Sequence, residues 1–180
     1  MLVRDGYANI TTRKLALEAN ANHGLVHYYF GSMEELFMRV LERFTDRILE
    51  RQRAMYESRG VPFIDKWRAA MNYIDVDLEA GYPKIWYELM AMAWNKPEFH
   101  QRIVHVHEQW DAVLSEAISG AIKAYGLDRR TFPADAITAL VRTFNTGLLL
   151  ERLNGFDKGH DVLLKMIDKL LQRFERGRKR

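Results

Sequence analysis

His100, His105, His107 and Glu108 form the densest group of metal-competent side chains in this chain, and His23 and His27 form the next. On a helix His100 and His107 would share a face with Glu108 near it, while His105 would point elsewhere. Zinc takes ligands at i, i+4 or from several elements, so this spacing matches a metal site poorly, and no metal is expected. Nucleophilic chemistry is thinner still. There is no Cys, Ser occurs only at 32, 58, 115 and 119, and there is neither a G-x-S-x-G elbow nor a phosphate-binding glycine loop. No pair of carboxylates is flanked by a polar cleft signature. These absences point away from an enzyme and from a bound cofactor, and towards binding.

His23 and His27 do stand at i, i+4, and the stretch around them is unusual. "TTRKLALEANANHGLVHYYFGSMEELF", Thr11 to Phe37, reads as short helix, tight break, short helix, small break and a third helix. The middle piece would bury mainly Leu25 or Val26 and Phe30. It would expose His23, Gly24, His27, Tyr28 and Tyr29. A short helix held by few contacts, with its polar and aromatic side outward, suits insertion into a major groove. Helix N-termini and capping groups also attract phosphate oxygens.

The elements that must position this piece follow from periodicity. Apolar residues recur at three and four rather than at two, and strand-like alternation bounded by turn residues is absent, so the fold is expected to be all-α. Pro62, Pro83, Pro97 and Pro133 each stand at a plausible helix boundary. The expected helices are Met33 to Ser58, Phe63 to about Glu79, Pro83 to Asn95, Pro97 to about Tyr125, Pro133 to Asn154 and Asp161 to about Arg176. Ser32-x-x-Glu35 forms a capping box ahead of the long helix. Thr12 is placed to cap the first short helix and Asn22 the second. Asn20 is one of the few non-glycine residues that enter the left-handed region at low cost, so it can end the first.

The segment Thr11–Leu36 resembles the helix-turn-helix of the TetR/AcrR family of transcriptional regulators. It matches the family's usual pattern without gaps at Thr11, Arg13, Ala16, Ala19, Gly24, Phe30, Ser32, Glu34, Glu35 and Leu36. The resemblance implies an N-terminal helix-turn-helix head over residues 1–45. A larger helical-bundle domain for ligand binding and dimerisation would occupy 46–180. It implies that Thr12 binds a phosphate and Arg13 a phosphate or a guanine edge. His23, Gly24, Leu25 and His27 would face the bases, and Tyr28 and Tyr29 would press on the sugar-phosphate backbone. Three features depart from the pattern. Met33 stands where a phosphate-touching Lys is usual, and Asn20 replaces the usual Gly. The full first helix and flexible arm that normally precede such a segment are represented only by Met1 to Arg4, so the head is expected to be clipped within its first helix. From Arg4 to Met33 the net charge is only +1.

The stretch "PKIWYELMAMAWN" is apolar nearly all round, with Trp86, Met90 and Trp94 on one side and Ile85, Leu89 and Met92 on another. Such a helix is surrounded by others. Plain core is one reading. The other is the wall of an effector cavity, since Met and aromatic side chains line adaptable apolar pockets. Trp67, Met71, Tyr87, Trp110 and Phe144 stand where they could complete such a wall. Glu88 would ordinarily reach solvent or pair with an Arg; buried, it would select a cationic or hydroxylated ligand.

The last two helices read as an interface. One carries Ile137, Leu140, Val141, Phe144 and Leu148. The other carries Val162, Leu163, Met166, Ile167, Leu170 and Leu171. Together they can bury themselves or pair with a second copy as a four-helix bundle, and the family resemblance favours a homodimer through residues 133–154 and 161–176. From Lys169 onward six basic residues stand against Glu175, which is +5 in a chain of net +3, so the remainder is net acidic. No uncharged apolar run is long enough to span a bilayer and the start lacks a signal-peptide core, so a cytoplasmic protein is expected. The expected function is a ligand-responsive regulator. The resemblance implies a repressor that would leave a palindromic double-stranded operator when a small, mostly apolar effector binds. The alternative is a headless dimeric ligand-binding or interaction protein that no longer binds DNA.

Overall fold

The computed structural model describes residues 1–178. The side chain of Arg178, with Lys179 and Arg180, lies outside the described residues, and so does that end of the basic tail. The described residues form nine α-helices and one 3-10 turn, with no strand. In chain order these are α1 (Leu2–Asp5), a 3-10 turn (Tyr7–Asn9), α2 (Thr12–Glu18), α3 (Gly24–Phe30), α4 (Met33–Glu57) and α5 (Phe63–Glu79). They continue with α6 (Tyr82–Ala93), α7 (Pro97–Tyr125), α8 (Ala134–Leu153) and α9 (His160–Arg178). The all-α class is as the periodicity predicts, and the N-terminal helix-turn-helix with a larger helical remainder is as the resemblance implies. Boundaries move by one or two residues. The helix expected from Pro83 starts at Tyr82, with Pro83 inside its first turn, where a missing N–H costs nothing.

The chain packs as two compact units. The first comprises Met1–Ile48 and Asp77–Val106, and the second comprises Leu49–Val76 and the stretch from His107 onward. In the first unit the start of α4 supplies Phe37, Met38 and Leu41, and α6 supplies Ile85, Leu89 and Ala93, all buried. Thr45 and Tyr82 are buried too, and their hydroxyls share a hydrogen bond of 3.0 Å, which satisfies both without water. The Phe44 ring stands edge-on to Tyr82 at 5.4 Å. In the second unit the core is Ile64, Ile74, Val113, Leu114, Ile118 and Leu148. Around it Arg68 bonds Asp168 at 2.7 Å, Arg142 pairs with Asp111 and Arg152 with Asp75. The Arg51 guanidinium lies over the Tyr73 ring, 4.1 Å from its centroid. Burial, and secondarily Arg142, pushes His107 below its ordinary value, so it is held neutral.

The first three turns of α4 are tied by charge to Lys96 and the start of α7. Lys96 donates to Glu34 at 2.5 Å. Arg102 donates two bonds to Glu42, at 2.6 and 2.7 Å, and a third to Glu35. Glu35 also takes Arg39 at 2.8 Å. The expected capping box is therefore half built: Ser32 Oγ accepts Glu35 N–H at 3.1 Å, but the Glu35 carboxylate turns to the two arginines. A carboxylate gains more from guanidinium donors than from one backbone N–H.

The Lys96 bond holds the Glu34 carboxyl below its ordinary value of 4.5. For Glu35 burial pushes upward, but the Arg102 and Arg39 bonds outweigh it and the net direction is also down. Both contributions to stability are therefore present above the ordinary glutamate value and are lost as the pH falls through the depressed ones. Arg102→Met is expected to cost about 1–2 kcal/mol at neutral pH and to flatten the stability decline between about pH 5 and pH 2. Urea melts across that range check it. An acid limb unchanged by the substitution would refute this account of the network.

Candidate functional site

α2 begins at Thr12 because Thr11 caps it. Thr11 is extended, with φ −107, and its side chain accepts Lys14 N–H at 3.3 Å. The cap therefore sits one residue earlier than Thr12, which has helical backbone and is half-buried at the first helical position. α2 buries Ala16 and ends where Asn20 takes φ +49. The next N–H, of Ala21, returns to the Ala16 carbonyl at 2.9 Å, which closes the helix end in the manner of a Schellman turn. Asn22 Oδ1 then accepts Gly24 N–H at 2.8 Å and so caps α3 from two residues away. The break is built from the left-handed backbone of Asn20 and the side chain of Asn22.

α3 exposes most of its surface. Val26 is its one buried residue and Phe30 is half-buried, while Leu25 is on the exposed side of the pair the sequence left open. Tyr28 and Tyr29 are 79% and 68% exposed, with their rings edge to face at 4.8 Å. His27 Nδ1 lies 3.0 Å from the Gly31 carbonyl, which can only accept, so Nδ1 carries the proton. In the neutral ring Nε2 is then a lone-pair acceptor pointing away from that bond, suited to an exocyclic amino group of adenine or cytosine. Arg13, His23, Gly24, Leu25, His27, Tyr28 and Tyr29 are all exposed, and together with half-buried Thr12 they lie on two consecutive short helices, His23 just ahead of the second. The head's charge is weaker than its composition. Arg4 is held by Asp5 and by Glu18, each at 2.7 Å, and Lys14 Nζ donates to the Asn9 carbonyl at 3.0 Å.

The expected effector residues fall in both units. In the first, Trp86, Tyr87, Glu88 and Met90 are half-buried on α6, and burial pushes the Tyr87 hydroxyl up. Trp94 lies just past the end of α6 and is 68% exposed. The Glu88 carboxylate accepts Tyr7 N–H at 2.5 Å, so that oxygen is engaged within the protein. Trp67, Met71, Trp110 and Phe144 are half-buried in the second unit. That unit also holds a cavity of about 310 Å³ lined by Arg53, Tyr56, Phe63, Lys66, Val113 and Gly120, among others. A second, of about 290 Å³, is lined by Asp75, Arg152, Gly155, Asp157, His160 and Asp161. None of the nine expected residues lines either of these two. The small residues Ala117, Gly120, Ala121 and Ala124 at helical spacing were the sequence signal for the first cavity. Burial pushes the Tyr56 hydroxyl there up to about 12.

His100 and His105 are exposed and His107 is half-buried, and among the described residues no three His, Asp or Glu side chains are grouped to hold a metal ion. No helix among them is long and apolar enough to cross a membrane. On α8 and α9 the apolar stripes divide. Leu148 is buried, whereas Leu140, Val162, Met166 and Leu170 are exposed, Val162 at 73%.

Comparison with known proteins gives three likenesses. Residues 1–40 match the family described as "Bacterial regulatory proteins, tetR family". The chain is 24% identical over 169 residues to the HTH-type transcriptional regulator YfiR of Bacillus subtilis (strain 168), covering 88% of this chain and 78% of that protein. Its fold is similar to the crystal structure of a TetR transcriptional regulator from Legionella pneumophila. That likeness has a TM-score of 0.63 at 18% identity, over 96% of this chain and 89% of the other.

If Val26 is what seats α3, Val26→Ala should loosen it by about 1–2 kcal/mol, the worth of two buried methyl groups. Amide exchange would rise across Gly24–Phe30 and hardly at all at Leu114 in the second unit. Equal protection of α3 in both proteins would show that the helix is seated by something else.

Proposed function

We propose that the protein is a TetR-type DNA-binding transcriptional regulator that reads a palindromic operator as a homodimer, acts as a repressor in the cytoplasm and leaves DNA when a small, mostly apolar effector binds; the match of residues 1–40 to the tetR family supports the coarse reading. The observation that carries the reading is α3. It is a short helix with one buried residue; it turns His27, Tyr28 and Tyr29 outward, and His23 just ahead of it and Arg13 on α2 are exposed too. A core helix has no reason to expose that surface. In this reading residues 1–45 bind DNA and residues 46–180 bind effector and partner.

The contacts divide by kind. Thr12, Arg13, Tyr28 and Tyr29 position the head on the backbone. His23, Gly24, Leu25 and His27 meet the base edges, where each good contact is worth about 1–3 kcal/mol of discrimination. The homodimer forms through residues 133–154 and 161–176. The exposed stripe Val162, Met166 and Leu170 repeats every fourth residue on α9, a spacing that suits a second copy of the same helix. Two weak heads reading two half-sites combine their affinities, which suits a head with so little net positive charge. For the effector, the candidates are the half-buried Trp86, Tyr87 and Met90 in the first unit and Trp67, Met71, Trp110 and Phe144 in the second. An effector acts only if it prefers the conformation that does not fit the operator.

A second reading is favoured by the charge of the head. With Arg4 tied to Asp5 and Glu18, little basic surface remains near α3. A dimeric ligand-binding or interaction protein that does not bind DNA would look the same there.

Selection from a random duplex library at low salt separates the two. The regulator reading predicts an enriched palindrome. Arg13→Ala should then weaken binding to every sequence and, if Arg13 meets a phosphate, lower the slope of log affinity on log salt by about one. If no duplex is enriched, the second reading replaces the first.

A further inference from the structure

α6 holds the backbone at the start of the head. Glu88 Oε2 accepts Tyr7 N–H at 2.5 Å across 81 positions of sequence. One turn earlier on the same helix, Lys84 Nζ donates to the Val3 carbonyl at 2.8 Å. A carboxylate and an ammonium at i, i+4 thus take both polarities of one short backbone segment. Charged partners make these bonds stronger than neutral ones, and neither depends on a side chain in the segment.

Two glycines allow the approach. Gly6 has φ +74, and a Cβ there would stand 3.1 Å from Glu88 Oε1. Gly81 has φ +80, and a Cβ there would stand 2.4 and 2.5 Å from the two γ-methyls of Val3, closer than any real contact. The grip continues into the head. The Tyr7 ring meets Phe37 of α4 edge-on at 5.5 Å, and Ile10, just ahead of α2, is buried.

We infer that Glu88 and Lys84 are positioning residues for DNA reading: α6 fixes the backbone of residues 3–7, and through the Tyr7–Asn9 turn and α2 it sets the seat of α3. The inference rests on the reading of the protein as DNA-binding. It gives α6 a direct mechanical connection to the head. Movement of α6 by a fraction of a hydrogen-bond length strains or breaks both bonds, because such bonds weaken steeply with distance and angle.

The test uses the full chain. Hydrogen exchange at the Tyr7 amide is followed by NMR without DNA, and affinity is measured on the duplex that selection enriches. Glu88→Gln keeps an acceptor and should leave both within about threefold of native, whereas Glu88→Ala should lower Tyr7 protection and operator affinity by about tenfold each. The amides of Leu41 and Leu114 report the cores of the two units and should hardly change. Unchanged Tyr7 protection in Glu88→Ala overturns the grip. Lost protection with native affinity overturns the positioning role. Equal losses at Tyr7, Leu41 and Leu114 make Glu88 a general stability residue and overturn it as well. If Glu88→Ala does not fold, Lys84→Met removes only the exposed bond to Val3 and should weaken operator binding by about threefold; native affinity in that variant counts against the role. A native chain that enriches no duplex defeats the DNA-binding reading and the positioning role with it, and the Tyr7 amide still decides whether α6 grips the segment.

Discussion

A helix of seven residues is not stable by itself in water, so everything about the presentation of α3 is imposed from outside it. Three attachments do this. Val26 is the only residue it buries, the Asn22 side chain and backbone carbonyl accept the Gly24 and Leu25 N–H groups, and the Gly31 N–H donates to the His27 carbonyl ahead of α4. The rest of the first unit can be read as support for those attachments. α2 must end at the left-handed Asn20 for Asn22 to arrive where it does. α4 must start in register, and its first turn is held by Lys96, just ahead of α7, and by Arg102 of α7. The outward face of α3 then carries little of the packing, which leaves His27, Tyr28 and Tyr29 exposed there.

Electrostatics in the head favour order over attraction. Arg4, Lys14, Glu34 and Glu35 are each engaged in bonds inside the unit, whereas Arg13, His23 and His27 are exposed. A nearly neutral head finds DNA more slowly and holds it more weakly than a basic one. It also discriminates better in proportion, because less of its affinity is independent of sequence. Such a design makes sense if two heads act together, and the exposed stripe on α9 is the surface that suits that pairing.

α6 stands at the centre of the functional reading. Its buried side, Ile85 and Leu89, is ordinary core. Its half-buried aromatic residues are candidates for an effector, and Lys84 and Glu88 hold the first residues of the chain. If the inferred positioning role holds, a change in how α6 is packed reaches the head through a rigid helix and short charged bonds, with no need for a long relay of side chains.

Much of this was legible in the sequence because it is local. Helix periodicity depends on neighbours three and four apart, and it set the all-α class and nearly every boundary. Asn20 in the left-handed region, the Ser32 cap and the outward face of α3 follow from residue type and spacing alone. The cap of α2 was displaced by one residue, from Thr12 to Thr11, because adjacent threonines are equivalent until backbone angles separate them. What the tertiary structure alone decided involves residues far apart in the chain. Glu88 reads in sequence as the lone acid of an apolar helix, and only folding brings it to the Tyr7 amide. Glu35 reads as half of a capping box, and only the arrival of Arg102 gives its carboxylate a stronger partner. Trp94 repeats the spacing of Trp86 and Met90, yet the helix stops at Ala93 and leaves it exposed. Local spacing determines which faces a helix has; which partner each face meets depends on packing between distant segments, and no periodicity records that.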